Sequence, residues 1–241
     1  MNNWDQAAKE YSELINSSGN LCYRTIIDPY LKNFFSSFIG GKILDLGCGE
    51  GYLSRLLPVD FSVRGIDSSA ELIRIAREKN SPGEFSVGDI TQTLSLGDSH
   101  DFVVSNMVLM SVQDLPAFYK NSYFYLKDSG RLVVTILHPV FSRPTNRWSK
   151  TWPMKLLRRD PFARIDRYGK TFTKEFPILG LKNPTPLIHR PLADYLQPAL
   201  DSGFSLKEIK EISPTLENLR RYNQPSWLEK FPMVMAIVWE K

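Results

Sequence analysis

Lys42-Ile-Leu-Asp-Leu-Gly-Cys-Gly-Glu-Gly51 is an apolar strand that runs directly into glycines at alternate positions. Glycine tolerates positive φ and has no Cβ, so Gly47, Gly49 and Gly51 let the main chain turn sharply and approach a ligand, with amide groups left to bind it. A helix expected from Glu50 onward would add its N-terminal N–H groups and positive dipole end to the same cradle. The spacing separates two ligand classes. A dinucleotide site reads G-x-G-x-x-G with an acidic residue about 20 positions later. Here the loop reads G-C-G-E-G and Asp45 precedes it inside the strand, which points away from a pyrophosphate.

Working outward, three more apolar runs end in polar residues. Phe61-Ser-Val-Arg-Gly-Ile66 ends in Asp67, a carboxylate able to accept hydrogen bonds from both hydroxyls of a ribose. Glu84-Phe-Ser-Val-Gly88 ends in Asp89-Ile90, a polar and apolar pair suited to an exocyclic amine and the face of an adenine. Asp101-Phe-Val-Val-Ser105 ends in Asn106-Met107. Between the runs the spacing predicts helices over 51–57, 69–78 (capped by Ser68 or Ser69), a short one near Thr91, and 114–126. A fifth strand over 131–137 leads straight to His138-Pro139. Such βα alternation is the signature of a parallel sheet covered on both faces. Two helical stretches precede it, 6–15 and 23–38, the second with Pro29 starting its main part or kinking it. A helix over 191–201 and strands over 204–212 and 233–239 close the chain, with no internal repeat and no second domain.

In order and spacing these elements resemble the class I S-adenosylmethionine-dependent methyltransferases, more narrowly the small-molecule, ubiquinone-biosynthesis-like group. The resemblance rests on Leu44-Asp-Leu-Gly-Cys-Gly-Glu-Gly51, Gly65-Ile-Asp67, Val87-Gly-Asp-Ile90, Val104-Ser-Asn-Met107 and Leu126-Lys-Asp-Ser-Gly-Arg-Leu132, and covers roughly 5–138 and 190–241. It implies an α/β, Rossmann-like, seven-stranded and mostly parallel sheet with a C-terminal antiparallel hairpin. It implies S-adenosyl-L-methionine as cofactor and carries ribose binding onto Asp67, with Ser68 beside it, and adenine binding onto Asp89 and Ile90. The main chains of Gly47, Gly49 and Asn106 fall near the methionine moiety, and Asp45 and Met107 are further cofactor-binding candidates. Tyr11 and Arg24 are candidates to meet the cofactor carboxylate, with surface or packing roles as the alternative. One domain, 1–241, divides into N-terminal helices that include a lid over the cofactor (1–40), a cofactor-binding core (41–138), an inserted lid (139–190) and a terminal helix with strands (191–241).

The inserted stretch breaks the alternation. Of its residues, 141–190 hold twelve Lys or Arg against three acids, a net +9, so the rest must carry −5 to reach the total of +4. Trp148, Trp152, Phe162, Tyr168, Phe172 and Phe176 would be costly to leave in water, which favours a lid over a disordered segment. Interleaved Arg and aromatic side chains suit an acceptor that is planar, apolar or anionic.

Methyl transfer from a sulfonium is an in-line displacement that needs a nucleophile held in a dry site, without a metal. His138, at the end of the fifth strand, is the candidate for the catalytic position, as a base or as a fixed substrate contact. His189 is a candidate to orient the lid, with a cap or surface role as the alternative. Other readings are a nucleic-acid-directed methyltransferase, with the basic stretch as a phosphate track, and a non-catalytic cofactor binder. The strand ending Ser105-Asn106-Met107-Val108 lacks an Asn-Pro-Pro-Tyr motif, and no Cys/His cluster has metal-ligand spacing, which demotes nucleobase targets. Two cysteines make no disulfide framework, and no long apolar run or signal-peptide pattern is seen, so the expectation is a cytoplasmic protein with free thiols and no membrane span. The sequence says nothing of oligomeric state.

Overall fold

The computed structural model describes residues 3–16, 22–97, 99–141, 146–149, 162–165, 167–176, 181 and 185–241. Helix α1 (Asn3–Asn16) is followed by a π-helical turn, Tyr23–Ile27, that runs into α2 (Asp28–Phe35). Pro29 lies in the first turn of α2, where its missing N–H costs least, and the widened turn comes just before it. Then come β1 (Gly41–Leu46), α3 (Tyr52–Leu56), β2 (Phe61–Asp67), α4 (Ala70–Glu78), β3 (Glu84–Val87), β4 (His100–Asn106), α5 (Leu115–Tyr125) and β5 (Leu126–Leu137). Two short antiparallel pairs follow, β6 (Asn146–Ser149) with β7 (Phe162–Ile165) and β8 (Phe172–Phe176) with β9 (Thr185–His189). The chain finishes with α6 (Leu192–Asp201), β10 (Ser205–Ile212), α7 (Leu216–Arg221) and β11 (Val234–Glu240).

Seven strands form one sheet in the order β10-β11-β5-β4-β1-β2-β3. The pairs β1–β2, β1–β4, β2–β3 and β4–β5 are parallel, and β11 runs antiparallel to both β5 and β10. This is the mostly parallel sheet with a terminal antiparallel hairpin. Alternation along the strands feeds two apolar layers. Leu44, Leu46, Val103, Val134 and Ile237 pack toward α5 and α6, while Ile43, Val63, Phe102, Val104 and Val133 pack toward the N-terminal helices. Strand order reverses between β1 and its neighbours β2 and β4, and in such sheets ligands bind outside the carboxyl ends at that point.

Two boundaries differ from expectation. The fifth strand begins at Leu126, not Arg131, because Leu126 already pairs with His100, with a register irregularity before Phe102 meets Arg131. No helix forms near Thr91. Asn121 Nδ2 donates to the carbonyls of Ile90 (3.2 Å) and Gln92 (2.9 Å), and the Leu94 N–H goes to Tyr125 Oη at 2.6 Å, so the groups a helix would use are taken from α5. Among the described residues no helix is long and apolar enough to cross a membrane.

Candidate cofactor and acceptor site

The glycine loop is built differently from an anion cradle. The N–H groups of Gly47 and Cys48 both donate to Ile66 O (2.8 and 3.1 Å), Gly51 N–H donates to Cys48 O, and Gly49 N–H donates to Asp67 Oδ2 at 2.9 Å. The expectation that these amides stay open for a ligand is corrected: the fold consumes them. The helix contribution is corrected too, since α3 starts only at Tyr52 and is five residues long. Glu50 is fully buried, with its carboxylate paired to Arg55 and Lys79. What remains is shape. Gly47 has φ +84°, and a Cβ there would stand 2.4 Å from Val108 Cγ2, whereas Gly49 (φ +54°) faces open space with only the Tyr11 ring at 3.9 Å. A bulky, uncharged ligand surface can lie flat on such a loop.

Beside it opens a cavity of about 580 Å³, within the range of small-molecule sites. Gly47, Gly49, Asp67, Ser68, Asp89, Ile90, Asn106, Met107 and Tyr11 all line it, so the structure gathers nine sequence candidates around one space. Asp67, at the tip of β2, is oriented by N–H donors from Gly49 and Ser69 (both 2.9 Å). Burial raises its pKa while these N–H bonds oppose the rise. Asp89 is exposed and fixed by the Thr91 N–H (2.9 Å) and hydroxyl (2.7 Å). Asn106 and Met107 are set by Thr135, a residue of β5 that sequence reading missed. Thr135 Oγ1 donates to Asn106 Oδ1 at 2.5 Å and accepts from the Met107 N–H at 3.1 Å, and the Thr135 carbonyl accepts from that N–H at 2.9 Å. Met107 is held at φ +61° by this arrangement.

A smaller recess of about 30 Å³ adjoins the loop and is lined by Tyr11, Tyr23, Asp45, Glu50, Tyr52 and Asn106, among others. Burial, reinforced by the charge of Asp67, pushes the Asp45 carboxyl up to about 8. The hydroxyls of Tyr11 and Tyr23 lie 3.0 Å apart, and burial pushes Tyr11 up to about 12, so it stays protonated. From α1, Trp4 packs edge-on against Tyr11 and lines the main cavity.

Two expectations are corrected. Arg24 does not line either space; its side chain is 39% exposed and pairs with Asp28 at 3.7 Å, one helical turn away. Asp28 is occupied further by the Tyr52 hydroxyl, at 2.8 and 2.9 Å. His138 does not line the cavity either. It is buried, 2% exposed, with Nδ1 accepting from the N–H groups of Val140 (3.1 Å) and Phe141 (3.2 Å). The ring proton therefore sits on Nε2, facing Glu211 of β10 at 2.9 Å. Its place at the end of β5 is as expected, but it works as a turn brace on the β10 side of the sheet. His189 is buried as well, its Nε2 donating to Tyr168 O at 2.9 Å beneath the Tyr168 and Phe172 rings. Trp152 lies outside the described residues, and so do the side chains of Trp148, Phe162 and Phe176.

Comparison with known proteins agrees with this geometry. A family model described as a methyltransferase domain matches residues 21–172. The malonyl-[acyl-carrier protein] O-methyltransferase of Priestia megaterium is 30% identical over 131 residues, 52% of this chain and 46% of that protein. Phosphoethanolamine N-methyltransferase 3 of Arabidopsis thaliana is 34% identical over 104 residues, 40% of this chain and 21% of that protein. The chain thus spans less than half the length of either curated relative. A crystal structure of an S-adenosylmethionine-dependent methyltransferase from Mesorhizobium loti superposes with a TM-score of 0.70 at 24% identity, covering 84% of this chain and 91% of that one. With the cavity at the switch point, the strand-tip carboxylates and the family match, the chain belongs to the class I S-adenosylmethionine-dependent methyltransferases.

Proposed function

We propose that this protein transfers a methyl group from S-adenosylmethionine to an oxygen or nitrogen of a small-molecule acceptor. The observation that carries this reading is the convergence of Asp67, Asp89, Ile90 and Asn106 on one cavity beside the glycine loop. The bound cofactor would supply an electrophilic methyl on a sulfonium. Asp67 would hold the ribose hydroxyls, Asp89 and Ile90 the amine and face of the adenine, and Asp45 the ammonium of the methionine end. The paired hydroxyls of Tyr11 and Tyr23 offer donors for its carboxylate in place of Arg24. A buried carboxyl with a pKa near 8 suits that task, because an incoming cation favours its ionised form.

The acceptor would meet Val108, Ser111, Val112, Gln113 and Pro186, which line the same cavity. With His138 committed to Glu211 and to backbone amides, the reading rests on orienting the acceptor and excluding water rather than on a histidine base. The curated relatives are named as an O- and an N-methyltransferase, so both atoms stay within the proposal. The basic, aromatic composition of 141–190 supports a planar, apolar or anionic acceptor.

Calorimetric titration with S-adenosylmethionine and S-adenosylhomocysteine, with NADH as control, tests the reading. Binding of the two adenosyl ligands alone supports it and leads to an acceptor screen; a folded protein that binds neither would overturn it.

A further inference from the structure

Arg190 directly follows β9, and it is buried, only 6% exposed. Charged side chains are rarely buried unless paired, and a buried guanidinium commonly meets a carboxylate. Here the fork meets carbonyls. Nη1 donates to Leu109 O at 3.2 Å, and Nη2 donates to Val112 O at 2.5 Å and to Gln113 O at 3.0 Å. The guanidinium carbon also lies 6.0 Å from the ring centre of Tyr195 on α6.

All three carbonyls belong to one stretch, the 3₁₀ turn Leu109–Ser111 and the two residues after it. That stretch puts Ser111, Val112 and Gln113 into the cavity wall. Pro186 of β9, four residues before Arg190, lines the cavity too. One side chain therefore joins two parts of the acceptor wall that lie about 80 positions apart in sequence. A planar guanidinium, with five N–H donors in a fixed fork, suits three carbonyls spread along a turn.

We infer that Arg190 is a positioning residue for the acceptor: it fixes the path of 109–113 and couples that wall to the end of the inserted segment. This rests on the methyl-transfer reading of the cavity. A lysine offers one ammonium and can hold part of the turn. A methionine fills similar space and leaves the three carbonyls without donors.

Arg190→Met and Arg190→Lys are to be compared with the full wild-type chain by hydrogen–deuterium exchange and by S-adenosylhomocysteine calorimetry. In Arg190→Met, amides of 109–114 should exchange roughly tenfold faster or more, with Arg190→Lys between it and wild type. Exchange over 41–51 and the S-adenosylhomocysteine Kd should stay within about threefold. For any acceptor that wild type methylates from a panel of phosphoethanolamine, catechol and a malonyl thioester, KM should rise about tenfold with kcat within about threefold. Unchanged exchange over 109–114 would overturn the inference. So would faster exchange in every segment with cofactor affinity falling in step, which would make Arg190 a general stabiliser. If wild type binds no S-adenosylhomocysteine, the functional reading fails, and the exchange comparison still decides whether Arg190 orders this wall.

Discussion

The two walls of the cavity are made in different ways. The wall with Asp67 and Asp89 is assembled from the tips of neighbouring parallel strands, β2 and β3 joined through α4, and tied by bonds such as Gly49 N–H to Asp67, 18 positions apart. The stretch from Asn106 to Gln113 depends on Thr135 reaching Asn106 and Met107 from β5, and on Arg190 reaching 109–113 from beyond β9. The first follows the strand order, with only local bonds at each tip. The second is fixed by single side chains that cross the fold, so one substitution there can reshape it without disturbing the sheet.

Breaking the first wall should have the largest effect. Gly47→Val introduces a side chain at φ +84° into space already filled by Val108. Strain and overpacking of about 1–3 kcal/mol each predict a loss of S-adenosylhomocysteine affinity of roughly 100-fold, read by calorimetry. Asp67→Ala follows, with a loss of about 10- to 100-fold from missing charge-assisted bonds and an unchanged far-UV CD spectrum. An unaltered Kd would remove Asp67 from the ribose position.

Asp45→Asn sharpens the comparison through pH. The ordinary carboxyl value of 3.8 is raised to about 8 in the fold, so folding takes up a proton between those values. Stability attributable to this residue therefore falls as pH rises from 4 to 8. The Asn variant should match wild type near pH 4 and melt higher near pH 8. In wild type, cofactor binding at pH 7 should release a proton, seen as a dependence of binding heat on buffer ionisation enthalpy that the variant lacks. The smallest effect on the site is expected from His138→Ala. Loss of its turn bonds should lower Tm by about 2–4 °C, for about 1 kcal/mol, and leave the S-adenosylhomocysteine Kd unchanged.

The same division explains what could be read in advance. Short apolar runs alternating with helical spacing pointed to the βα units, and residues at strand tips pointed to Asp67, Asp89 and Asn106, because local pattern and topology are enough to place them. Thr135 and Arg190 carry no local signal, since their partners lie 29 and about 80 positions away. His138 was placed correctly along β5 but misread across the sheet, where Glu211 waits 73 positions later. Arg24 had a visible alternative in Asp28 at i+4, a spacing that pairs opposite charges on any helix. The open-amide expectation failed because a glycine loop shows its freedom in sequence and hides which carbonyl its N–H groups will find.

Helix α1 brings Trp4 and Tyr11 to the cavity and is fastened by polar ties near each end. Asp5 accepts from the Ser69 hydroxyl at 2.7 Å and the Glu71 N–H at 3.2 Å, and Ser12 meets Lys79 at 2.5 Å, which in turn pairs with Glu50. A ligand seated beneath this helix leaves no faster than those ties open. Between those ties Ala7 and Ala8 are fully buried. Lifting α1 is therefore one concerted opening, in which the polar ties near both ends and the apolar contacts between them let go together, and a spent cofactor held there would wait for it.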